Sequence, residues 1–158
     1  MKYLSKPMIR PVLAALIALG LHGCMPTSQD AERNKQEGAR FLGENRQKPG
    51  IATTVSGLQY EVMKAGNGAS PKATDTVTVN YRGSLLTGAE FDSGEGISFA
   101  LNQVIPGWTE GLQLMKEGAK YKFYIPADLA YGETGAGRVI PPNATLIFEV
   151  DLVKVGPS

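Results

Sequence analysis

The side chains that most often carry covalent catalysis are scarce in this chain. Histidine occurs once, as His22, and cysteine once, as Cys24. Both stand at the end of an apolar leader, so a chain cut before Cys24 keeps no imidazole. That excludes Ser-His and Cys-His nucleophilic catalysis and histidine-ligated metal sites. Gly132-Glu133-Thr134-Gly135-Ala136-Gly137 has the outline of a phosphate loop, but no Gly-Lys-Ser/Thr follows and Pro141-Pro142 blocks a helix. The remaining candidates are Asp92 beside Phe91, Tyr131 in a Tyr-Gly pair, and the aromatics Tyr81, Trp108 and Phe148. Taken singly, the aromatics fit a core, and Asp92 fits the start of a turn with Ser93-Gly94. None of these side chains calls for a metal or a cofactor, and none is expected.

The elements that must position these residues begin after a targeting segment. Lys2, Lys6 and Arg10 precede the apolar run Val12–Leu19, which is too short to span a bilayer comfortably. Residues 1–23 therefore read as a secretory signal. Leu21-His22-Gly23-Cys24 resembles the bacterial lipobox, which implies cleavage before Cys24 and a diacylglycerol on its sulfur. A lone thiol in an exported protein has no partner for an internal disulfide, which favours lipidation. With the three leader cations set aside, 13 of the 16 basic side chains remain against 15 acidic ones. A nucleic-acid binder would show a basic excess, so none is expected. Residues 24–56 read as a lipidated N-terminus and a polar, partly helical, solvated spacer, weakened as a helix by Gly38 and Gly43 and stopped by Pro49-Gly50.

From Gly57 the apolar period changes to two. Leu58, Tyr60 and Val62 alternate with polar neighbours, as do Val77, Val79 and Tyr81; Tyr121, Phe123 and Ile125; and Leu146, Phe148, Val150 and Leu152. Shorter strand candidates lie around Phe91 and from Ile97 to Leu101. Only Trp108, Leu112 and Met115 recur at helical spacing, between Pro106-Gly107 and Gly118. The predicted fold of residues 57–158 is α+β: a curved antiparallel sheet wrapped around one short helix.

Five segments then match a known family in order and spacing: Tyr81-Arg82-Gly83, Phe91-Asp92-Ser93, Val104-Ile105-Pro106-Gly107-Trp108, Ala130-Tyr131-Gly132 and Ile140-Pro141-Pro142-Asn143-Ala144-Thr145-Leu146-Ile147-Phe148. Across residues 57–155 the chain resembles the FKBP-type peptidyl-prolyl cis/trans isomerases. The lead-in from Phe41-Leu42-Gly43 to Ser56-Gly57-Leu58-Gln59-Tyr60 is similar to their exported, Mip-like branch. The resemblance implies rotation about X-Pro bonds in exported or envelope proteins, without a cofactor. It places Trp108 beneath the substrate's proline ring, with Tyr81, Phe91, Val104, Ile105 and Phe148 as walls and Ile97 at a position often aromatic in the family. It puts Ile140 among the binding residues, gives the Tyr131 hydroxyl and the Ile105 N–H to substrate carbonyls, and makes Asp92 the pocket's carboxylate. Ala136 stands where some relatives have histidine. The resemblance further implies inhibition by macrolides of the tacrolimus and rapamycin type and, by analogy, an outer-membrane anchor facing the periplasm. A non-catalytic proline-peptide binding module or a holdase chaperone is the rival that a degraded pocket would favour.

Overall fold

A computed structural model describes residues 26–157. The signal segment and Cys24 lie outside the described residues. The order of elements is α1 (Ser28–Asn45), β1 (Ile51–Thr53), β2 (Gln59–Lys64), β3 (Thr76–Leu85), β4 (Glu90–Ala100), α2 (Pro106–Gln113), β5 (Lys120–Ile125) and β6 (Leu146–Gly156). The strands form one six-stranded sheet in the order β1-β2-β5-β6-β3-β4, and every pairing is antiparallel. Among the described residues no helix is long and apolar enough to cross a membrane.

The period-two runs become β2, β3, β5 and β6, and the two weaker candidates merge into the single long strand β4. One face of the sheet is the core: Leu58, Val77, Val79, Phe123, Ile125, Leu146 and Val150 are fully buried. Pro106 opens α2, where its missing N–H removes no helical bond. The helix lays Trp108 and Leu112 on that face, and Met115 follows just beyond its end, also buried. Close approach is possible because Gly111 faces the Phe123 ring; a Cβ there would come within 2.7 Å of a ring carbon. Each apolar side chain so buried contributes roughly 1.5–3 kcal/mol.

The polar stretch before the sheet is not a solvated spacer. Residues 28–45 form one unbroken 18-residue helix, opened by a capping box in which the Thr27 side chain accepts from the Asp30 N–H and the Asp30 carboxylate accepts from the Thr27 N–H. Those bonds, chiefly the one from the Thr27 backbone, hold the Asp30 carboxyl below the usual range. The helix packs against part of the outer face of the sheet, at Gln59 of β2 and Tyr124 of β5. Phe41 packs on Tyr124 with ring centroids 5.9 Å apart. Asn45 donates to the Gln59 side chain at 2.9 Å, and Gln59 donates to the Leu42 carbonyl at 2.8 Å. Gln59 and Tyr124 are direct cross-strand partners, and both are buried although the alternation pointed them at water. The contact stripe on α1 is Ala31, Asn34, Gly38, Phe41, Leu42 and Asn45, spaced as a helical face but largely polar or small. Hydropathy alone does not reveal such a face. The connector also enters the sheet, since Ile51–Thr53 pairs with β2 as its edge strand.

Candidate active site

The sheet and α2 meet at a cavity of about 400 Å³. Trp108, buried on the first turn of α2, stands at its centre. Around it are Tyr81 from β3, Phe99 from β4 and Phe148 from β6, with centroid distances to the indole of 5.3, 5.4 and 5.3 Å. All three rings stand at 80–86° to the indole plane, the edge-on arrangement that suits ring quadrupoles. Val104 and Ile105 line a further side, just ahead of α2, and Gln103, Asp92 and Tyr131 complete the lining.

Local sequence explains the geometry. Gly83 lies opposite Phe148 on one neighbouring strand and Asp92 on the other. A Cβ at Gly83 would come within 2.6 Å of the Phe148 ring and 2.7 Å of the Phe91 ring, so only glycine admits both. Between the Val79–Ile97 and Tyr81–Gly94 pairs β4 carries one extra residue, and the Asn80 side-chain oxygen accepts from the Gly96 N–H of that bulge at 2.7 Å. Beyond the bulge, the Tyr81 hydroxyl donates to Asp92 Oδ2 at 2.9 Å. Burial, then this bond and the charge of Asp92, push the Tyr81 phenol up to about 12, so it remains a donor at neutral pH. Ile105 is the N-cap of α2, a position whose N–H has no intrahelical acceptor. Tyr131 is 40% exposed, with φ −104° and ψ 3°, in the sparsely allowed bridge region. The site is thus an aromatic box with one carboxylate and two phenols, suited to holding a small apolar ring and hydrogen-bonding the chain on either side of it.

A family model described as FKBP-type peptidyl-prolyl cis-trans isomerase matches residues 67–153, and one described as the domain amino terminal to that isomerase matches residues 14–62. The chain belongs to the FKBP-type peptidyl-prolyl isomerase family. It is 56% identical over 131 residues to a probable FKBP-type isomerase, FkpA, of Neisseria meningitidis, covering 80% of this chain and 48% of that one. It is 50% identical over 132 residues to the outer membrane protein MIP of Legionella longbeachae, covering 81% of this chain and 57% of that one. The chain spans about half the length of the curated relatives it matches most strongly. The crystal structure of FkpA from Escherichia coli superposes with a TM-score of 0.80 at 42% identity, over 99% of this chain and 75% of that one. A Pseudomonas syringae isomerase structure gives 0.77 at 37% identity, over 80% of this chain and 96% of that one.

Within this FKBP domain, the ten expected site residues do not all serve alike. Tyr81, Asp92, Val104, Ile105, Trp108, Tyr131 and Phe148 line the cavity. Phe91 stands behind it, edge-on to Phe148 at 5.4 Å, and supports that wall. Ile97 is 41% exposed at the rim, crowding the same side of Gly94 as the Tyr81 ring. Ile140 is buried in the core and bridges to Ala136, away from the lining. Phe99, two residues beyond Ile97 on β4, adds an aromatic wall that was not among the expected contacts. Its alternation with Ile97 and Leu101 was the available signal, whereas nothing in the sequence pointed to Gln103.

Proposed function

We propose that the chain is a peptidyl-prolyl cis/trans isomerase acting on X-Pro bonds in exported or envelope polypeptides. The observation that carries this reading is the Trp108-centred aromatic cavity with a single carboxylate at its edge. Rotation about a prolyl bond is slow because the planar amide loses resonance as it twists. A twisted amide is less polar than a planar one, so a water-poor aromatic box favours the transition state over the ground state. Trp108, Tyr81, Phe99 and Phe148 grip the proline ring, and Val104 and Ile105 favour an apolar residue before it. The Ile105 N–H and the Tyr131 hydroxyl hold carbonyls of the flanking peptide. Asp92 shapes the field around the rotating amide, with Tyr81 fixing its orientation. The same box would accept macrolides of the tacrolimus or rapamycin type.

Residues 1–23 act, in this reading, as a lipoprotein signal, and Cys24 carries the lipid that keeps the domain at the envelope. The leader pattern supports it, as does the name of the Legionella relative. A protease-coupled assay on a short X-Pro peptide, with and without a tacrolimus-type ligand, tests the activity. Acceleration abolished by the ligand supports the enzyme, and no acceleration by the folded protein turns the reading to a binding module. Metabolic labelling with a fatty-acid analogue, lost in Cys24→Ser, tests the anchor.

A further inference from the structure

We propose that α1 sets the position of Tyr131 at the mouth of the cavity, with Asn143 and Asn34 as the positioning residues; the proposal rests on the isomerase reading above. Asn143 is the single non-glycine residue with positive φ among the described residues, at 58°. That strained backbone lets it bond in two directions. Its side-chain Nδ2 donates to the Ala31 carbonyl of α1 at 3.1 Å, and its backbone N–H donates to the Gly132 carbonyl at 2.8 Å. Asn34 Nδ2 donates to the Pro142 carbonyl at 2.9 Å. One turn further along α1, a Cβ at Gly38 would overlap the Thr145 hydroxyl, so the glycine seats the helix directly on that buried residue.

Ala31, Asn34 and Gly38 thus grip Pro142, Asn143 and Thr145, and Asn143 passes the constraint to Gly132. Tyr131 is the residue before Gly132. Its ring is exposed, and the segment after it, from Glu133 to Val139, is mostly exposed as well. The Gly132 anchor is therefore a principal restraint on where the Tyr131 hydroxyl points, and α1 holds the far end of it.

The test compares Asn143→Gly, Asn34→Ala, Gly38→Ala and Gly38→Ala/Thr145→Ala in the full chain. Asn143→Gly keeps the left-handed backbone and removes only the side-chain link. Asn143→Gly and Gly38→Ala are each expected to lower kcat/KM about three- to tenfold, with KM raised more than kcat is lowered. The double variant, which removes the overlapping hydroxyl, should recover most of the Gly38→Ala loss. In a Tyr131→Phe background Asn143→Gly should cost little more, because the two act through one group. Equal losses with and without the Tyr131 hydroxyl would overturn the proposal. An inactive wild type would defeat the isomerase reading instead. The ring resonances of Tyr131 then decide the positioning separately: they shift in Asn143→Gly and Asn34→Ala if α1 acts there, and unchanged resonances in both sink it.

Discussion

At the scale of single residues, the site separates side chains that touch the cavity from those that hold its walls. Asp92 is exposed and supports no core, so Asp92→Ala should lower kcat/KM about tenfold or more while unfolding free energy moves by less than about 0.5 kcal/mol. Peptide kinetics set beside a urea titration check this, and full activity would remove Asp92 from the mechanism. Tyr81 gives a pH prediction with a definite sign. Its phenol ionises near about pH 10 in the unfolded chain and at about 12 in the folded one. The unfolded chain therefore sheds this proton first. The contribution to stability is whole below about pH 10 and is lost as pH rises toward 12. Urea midpoints on either side of pH 10 should fall more steeply for the wild type than for Tyr81→Phe. Burial also raises Tyr121 and Tyr124, and that slope is common to both proteins. Much of the lining was legible because Tyr81, Val104, Trp108 and Phe148 belong to contiguous motifs. Motif order does not give depth: Ile97 is exposed beside the cavity, and Ile140 is buried where it bridges to Ala136.

At the scale of elements, the sheet and α2 could be read from apolar periodicity, but the docking of α1 could not. Its stripe substitutes amide hydrogen bonds and glycine contact for apolar bulk. The link Asn45–Gln59–Leu42 is buried, so truncating either amide strands a polar partner at a cost of about 1–3 kcal/mol. Asn45→Ala and Gln59→Ala should each destabilise by that order, and the double variant should cost clearly less than their sum. Chemical denaturation of all four proteins completes the cycle. Strict additivity would show that the two amides do not act as one unit. β1 was equally hidden: three residues are too few to show a period, and only the pairing with β2 identifies them as a strand.

At the scale of the molecule, the sheet has a helix on each face, α2 within and α1 outside. A chain beginning at residue 47 should therefore expose Gln59 and Tyr124 to water. It is expected to unfold at a lower urea midpoint than the chain containing α1, with a smaller dependence of free energy on urea, because less surface becomes exposed on unfolding. An unchanged midpoint would mean that α1 contributes nothing to the stability of the domain. The same docking changes reach. Three residues separate Cys24 from Ser28, and extended they span about 10 Å; a fully extended tether through residue 56 would span roughly 110 Å. With a lipid on Cys24, the aromatic box is held on a short leash at a nearly fixed height. Under the proposed lipidation, it would sample only the zone lying against the bilayer.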